Sequence, residues 1–188
     1  MKHKNKKRME KRHLRLKEDH TWRAPQGYKI LVLDRGAVSF NIPESWEVAN
    51  LEPFELHDHP PPDDNARLSV SFWRLPPGVD WSALPLAEML SQATQGEREE
   101  VLERGDILTE KRTDLELVWT EHRFLDPVEK REAHSRIATA RGWDVQVLIT
   151  FDFWVDDAAN MRPVWNEVLR SLQLGRTIED PTKGAVLH

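Results

Sequence analysis

The sequence predicts an α+β domain, a mainly antiparallel β-sheet sandwiched by helices, preceded by a basic, flexible N-terminal tail. Three observations carry that prediction. From Trp143 to Val155 every second residue is apolar, through Val145, Val147, Ile149, Phe151 and Phe153. That period of two belongs to a strand with one buried face. After Asp156-Asp157 the period changes. Met161, Val164, Trp165, Val168, Leu169 and Leu172 recur at three- and four-residue steps, the stripe of an amphipathic helix, with Gly175 as its stop. Finally, most candidate strands are joined by short turns, which favours antiparallel pairing with helices packed on the sheet.

The elements follow in order. Residues 1–24 are expected as a disordered basic tail, because after the initial Met only Met9, Leu14 and Leu16 offer apolar surface before residue 20. A single domain is expected over 25–176. Tyr28–Leu33 reads as a first strand, Asp34-Arg35-Gly36 as a turn, and Val38–Ile42 as a second strand closing a hairpin. Pro43 ends that strand because it cannot donate to a ladder. Phe54 and Leu56 suit a short strand, followed by an extended loop, His57-Asp58-His59-Pro60-Pro61-Pro62-Asp63-Asp64. Leu68–Trp73 alternates as a third strand, stopped by Pro76-Pro77-Gly78.

Ser82 suits an N-cap with Pro85 in the first helical turn, for a short helix using Leu86, Met89, Leu90 and Ala93 and ending near Gly96. Glu97–Arg104 reads as a further helical turn or an irregular crossing. A β-meander is expected over 106–142, with a bulge where the apolar phase drifts from Trp119 to His122 and Phe124. Pro163 costs no hydrogen bond if Asn160 caps the last helix, which places that helix at about 160–173. Residues 177–188 are expected as a loosely attached C-terminal tail.

Composition limits the function. At 188 residues the chain suits one domain that buries a core without staples. It has no Cys, which excludes disulfides, thiolate metal sites and Cys nucleophiles, and fits a cytoplasmic location. No apolar run reaches the roughly 18 residues of a membrane span, and no apolar segment of a secretory signal follows the basic start. Residues 1–17 hold nine of the 27 Lys and Arg and one acid, a net +8 that leaves −13 on the remainder. Only the tail, through Lys4, Lys6, Lys7, Arg8, Lys11, Arg12 and Arg15, could then attract nucleic acid or an anionic surface.

Candidate chemistry is sparse. His57 and His59, alternate residues of an extended segment, would point the same way and could share a metal with Asp63 or Asp64; a solvated acidic loop is the plainer reading. His122 and His134 lie in neighbouring predicted strands near Glu121 and could form an acid–base pair, or merely pair across a wet sheet face. No nucleophile elbow, Walker loop or dinucleotide fingerprint is present. Trp73 and Trp154 fall on the nominally polar side of their strands, either under a helical layer or as anchors for a partner.

The hairpin end Val38-Ser39-Phe40-Asn41-Ile42-Pro43-Glu44-Ser45-Trp46 resembles the F-x-[IV]-P-x-x-W entry of PsbP-like and Mog-like domains, the superfamily that includes the DcrB-type proteins. Ser171-Leu172 followed by Gly175 is similar to the S-L-x-x-G that closes those domains. The resemblance spans roughly Tyr28 to Arg176 and implies an antiparallel sheet sandwiched by helices in a binding protein. It transfers no functional residue set.

The expected function is a non-catalytic protein-binding, adaptor or chaperone-like module using a sheet face or edge, with Trp73, Trp154, His57 and His59 as candidate partner-binding residues. This reading assigns no catalytic, metal or cofactor residues, and its partner is another protein or a second copy of the chain. The alternatives are a nucleic-acid or anionic-surface accessory protein acting through the tail, and a metal-dependent enzyme at the His57/His59 loop.

Overall fold

In a computed structural model describing residues 10–51, 53–81, 84–95, 100–110 and 112–184, the period-two stretch forms β10 (Val145–Trp154). It lies at the middle of a sheet ordered β3-β4-β5-β10-β9-β8-β6, with β7 also on β8. The other strands are β3 (Glu47–Leu51), β4 (Phe54–His57), β5 (Ala66–Arg74), β6 (Glu100–Arg104), β7 (Leu108–Glu110), β8 (Glu116–Leu125) and β9 (Glu132–Gly142). Every pairing is antiparallel. A second sheet joins the hairpin β1 (Tyr28–Leu33) and β2 (Val38–Pro43) to β11 (Gln173–Leu174).

Val145, Val147, Ile149, Phe151 and Phe153 are buried on the inner face of the large sheet, as their alternation requires. Helix α2 (Ala158–Ser171) returns across that face and buries Val164, Trp165, Val168 and Leu169. Trp165 stacks on Phe151 at 5.9 Å between ring centroids and meets Trp119 edge-on at 5.7 Å. Trp46, closing the hairpin motif, also packs on Phe151, tilted, at 5.7 Å. Helix α1 (Leu86–Ala93) covers the opposite face, where Leu86 and Leu90 meet Val118 and Ile137. The sheet is therefore sandwiched by helices.

Several expectations are corrected. Trp143 is not in the strand. Gly142 pairs Val145, so Trp143-Asp144 is a two-residue turn, and Trp143 stands exposed with φ 53°. Helix α2 starts at Ala158, straight out of a 3₁₀ turn at Val155–Asp157, rather than at 160. Pro163 is then its sixth residue and removes the bond to the Ala159 carbonyl. Both residues are exposed, so water can satisfy that carbonyl. Gly175 does not stop the helix, which ends at Ser171; Gly175 instead follows β11 with φ 64°. Pro85 occupies the N-cap of α1 rather than its first turn, and Ser82 and Gly96 lie outside the described residues.

Glu100–Arg104 is a strand and not a helical turn. The apolar phase drift in β8 is no bulge, because its register with β9 is unbroken. Each face of β8 is buried by a different neighbour. Leu117 belongs to the α2 core and Val118 to the α1 cluster. The irregularity lies on β6, between Val101 and Glu103.

The segments expected as an N-terminal and a C-terminal tail meet each other. Ile178 is buried and its N–H donates to Arg35 O at 3.0 Å. Lys17 reaches Asp180 at 2.6 Å, Trp22 Nε1 donates to Pro181 O at 2.8 Å, and Thr21 N donates to Lys183 O at 2.7 Å. Hydrogen bonds from Lys17 and Thr182 pull the Asp180 carboxyl down to about 2.

Replacing Trp165 by Ala should destabilise the chain by about 3–5 kcal/mol, the usual cost of emptying a fully buried aromatic site. Urea unfolding checks this, and a loss below about 1 kcal/mol would contradict the packing described.

Candidate functional site

The residues singled out in the sequence do not converge. His57 ends β4, and there the chain leaves the extended conformation that would have aligned it with His59. His57 turns inward, with Nδ1 2.7 Å from Asp64 Oδ2 and Nε2 4.0 Å from Glu55 Oε2. His59 faces solvent beside Asp58, 3.1 Å away. Asp58 is the organiser of the loop. Its Oδ1 accepts from the backbone N–H groups of His59, Asn65 and Ala66. Among the described residues no group of three His, Asp or Glu side chains could hold a metal ion.

Trp73 and Trp154 share the outer face of the large sheet but not one patch. Trp73 pairs with Gln146, eight residues from Trp154 along β10, or about 26 Å at strand rise. Trp154 is half-buried under the Arg131 guanidinium, 4.9 Å from the ring centroid, while Trp73 is 51% exposed. Of the basic tail residues, Lys4, Lys6, Lys7 and Arg8 lie outside the described residues. Lys11, Arg12 and Arg15 are exposed, with Arg12 paired to Glu10 at 2.9 Å.

His122 and His134 face opposite sides of the sheet, since His122 pairs Ser135 and Arg123 pairs His134. They cannot act as a pair. His134 instead stands 3.4 Å from Glu121 on the inner face, where Arg136 Nε donates to the same carboxylate at 2.5 Å. Arg136 is also sandwiched by Phe153 and Trp119, at 5.2 and 5.9 Å from their centroids. This is a packed ion-pair network. On the outer face His122 is buried beside Arg104.

The β9–β10 turn holds a large, open apolar side chain. Trp143 is 75% exposed with its backbone in the left-handed region, where a bulky side chain is strained. It lies over Gly175, whose missing Cβ would fall 2.6 Å from that of Trp143. Beside it opens a cleft of about 420 Å³ whose lining includes Leu75, Trp81, Trp143, Arg112 and Arg141. Trp81 Nε1 is buried with no hydrogen-bond partner among the described residues. The two lining cations are paired, Arg112 with Asp114 at 2.6 Å and Arg141 with Glu116 at 2.6 Å. Nearby, Arg74 pairs with Asp144 at 3.0 Å. Sequence reasoning placed Trp143 in the strand because it continues the alternation; its position between Gly142 and Asp144, both turn formers, was the available signal.

Comparison with known proteins agrees with this architecture. The family profile described as Alr1449 matches residues 29–178. The uncharacterized protein alr1449 of Nostoc sp. is 48% identical over 173 residues, covering 91% of this chain and 90% of that protein. Among solved structures, cyanobacterial PsbP (CyanoP) from Synechocystis sp. PCC 6803 aligns at a TM-score of 0.55 and 12% identity, over 81% of this chain and 95% of its own. LpqN of Mycobacterium tuberculosis, a protein involved in cell envelope biogenesis, aligns at 0.59 and 8% identity, over 78% and 89%. At these identities the structural likeness establishes a PsbP-like fold.

His122 makes the stability pH-sensitive. Burial, with Arg104 adding to it, pushes its imidazole below the usual range, so the folded state resists the proton. The unfolded chain takes that proton near pH 6.5, and stability should fall as pH drops through and below that value. Between pH 7.5 and 5.5 the wild type should lose more unfolding free energy than His122→Gln. Equal losses in chemical denaturation would contradict it.

Proposed function

The chain belongs to the Alr1449 family, and from the geometry of its β9–β10 turn we propose that it is a non-catalytic protein-binding module of adaptor or chaperone type. The occupant is an apolar segment of a protein partner seated in the Trp81 cleft against Trp143, with Trp73 flanking it on the outer face. The observation that carries this reading is Trp143 itself. Its φ of 53° suits Asn or Gly, and its ring gains little burial in the free chain. A large aromatic held out at a strained turn contributes most to a contact made with another molecule. The surroundings fit that role, since Leu75 and Trp81 add apolar lining and Arg112 and Arg141 add charges that are already paired.

A second reading, in which the basic N-terminal segment holds an anionic surface, is favoured by Lys11. Burial, with the Lys11 charge adding to it, pushes the Lys29 amine down, which brings Lys11 within electrostatic reach of β1.

Cross-linking capture by the full chain tests both readings. The double variant Trp73→Ala/Trp143→Ala should lose its captured partner, while deletion of residues 1–17 should leave capture intact; the opposite pattern favours the tail. Trp143→Asn should unfold no earlier than the wild type, and is expected to gain up to about 1 kcal/mol from relief of the left-handed strain. A variant that captures as well as the wild type removes Trp143 from the interface.

A further inference from the structure

A second concavity, of about 290 Å³, lies where the N-terminal segment, β2, the end of α2 and the chain after β11 meet. Four arginines line it, Arg23, Arg112, Arg170 and Arg176, together with Trp22 and Ser39. Such a gathering is unexpected on a body whose net charge outside the tail is negative. Two of the cations are already matched. Arg170 bonds Glu167 at 2.6 Å and 2.7 Å, and Arg112 bonds Asp114 at 2.6 Å and the Leu169 carbonyl at 3.0 Å. Burial alone would raise the Glu167 carboxyl, but hydrogen bonds from Arg170 and Asn41 outweigh it and hold it below the usual range. The guanidiniums of Arg23 and Arg176 have no hydrogen-bond or ion-pair partner among the described residues.

Ser39 supplies the independent observation. It is 1% exposed, its Oγ has no hydrogen-bond partner among the described residues, and its backbone is fixed in β2 between β1 and β11. A buried hydroxyl left unbonded is costly, and here it lines a cavity with two unpaired cations. Trp22, its Nε1 tied to Pro181 O, gives the pocket one apolar wall.

We propose that this pocket binds the phosphoryl group of a small phosphorylated molecule. Arg23 and Arg176, neither held in a direct ion pair, provide two positive charges, although Arg176 also acts at longer range on the Asp114 carboxylate, and Ser39 Oγ–H donates the additional hydrogen bond. A phosphate carries about −1.5 to −2 charges at pH 7, which matches two guanidiniums, whereas a single carboxylate matches one. The planar fork of Arg also suits phosphate oxygens. This site shares Arg112 with the Trp143 cleft, but none of the three groups assigned to the phosphoryl group lines that cleft.

The test is calorimetric titration of the full chain with inorganic phosphate at ionic strength held constant with chloride, repeated with phenyl phosphate and with succinate. Saturable phosphate binding is expected, weakened at least tenfold in Arg23→Gln/Arg176→Gln. Phenyl phosphate binding tighter than inorganic phosphate assigns an ester, and the reverse assigns free phosphate; both retain the phosphoryl site. Ser39→Ala, which deletes an unbonded hydroxyl, should melt no lower than the wild type and still bind phosphate more weakly. This keeps the test decisive if the arginine variant unfolds. No saturable phosphate binding by the wild type, succinate bound in preference to phosphate, or unchanged affinity in these variants would overturn the proposal.

Discussion

Trp165 of α2 lies nearly parallel to Phe151 of β10, with 19° between the rings, and both side chains are fully buried. Burying two aromatic side chains of this size removes several hundred Å² from water, worth several kcal/mol at about 25 cal/mol per Å². The contact also sets position. It holds α2 on the inner face of the large sheet, and α2 in turn carries the three-stranded sheet, because Ser171 Oγ accepts from Asn41 N–H at 2.8 Å and β11 pairs with β2 directly after the helix. The PsbP-like sandwich follows from one ribbon and the helix that returns over it.

What was legible in the sequence was local and periodic. The alternation of Val145 to Phe153, the stripe through Trp165, and the hairpin closed by Pro43 and Trp46 each report a buried face within a dozen residues. Other features lack such a signal. In β6, Glu100–Arg104, only Val101 is even half-buried, so an edge strand reads as a charged crossing. The start of α2 has no capping side chain to announce it, since the helix grows from a 3₁₀ turn. Trp143 continues the alternation by residue type while a two-residue turn decides its conformation. His122 and His134 were paired by strand adjacency, but the register puts them on opposite faces.

The candidate sites were less legible for a related reason. The arginine pocket draws Arg23, Arg112, Arg170 and Arg176 from segments more than 150 residues apart, and no spacing rule marks such a set. The clasp that holds Trp22 and Arg23 at the pocket is made by Lys17 with Asp180, Thr21 with Lys183 and Trp22 with Pro181. Both ends of the chain therefore shape a surface that the central domain does not complete alone. The turn cleft and the arginine pocket adjoin at Arg112, which lines both.

Native-state hydrogen exchange tests the central claim most directly, because it ranks the strands by the free energy needed to open them. If β10 and α2 organise the fold, the amides of Val147, Ile149 and Phe151 should exchange last, by global unfolding, together with those of Val168 and Leu169. Slower exchange in β1 and β2 than in β10, or α2 opening while β10 stays protected, would contradict the account.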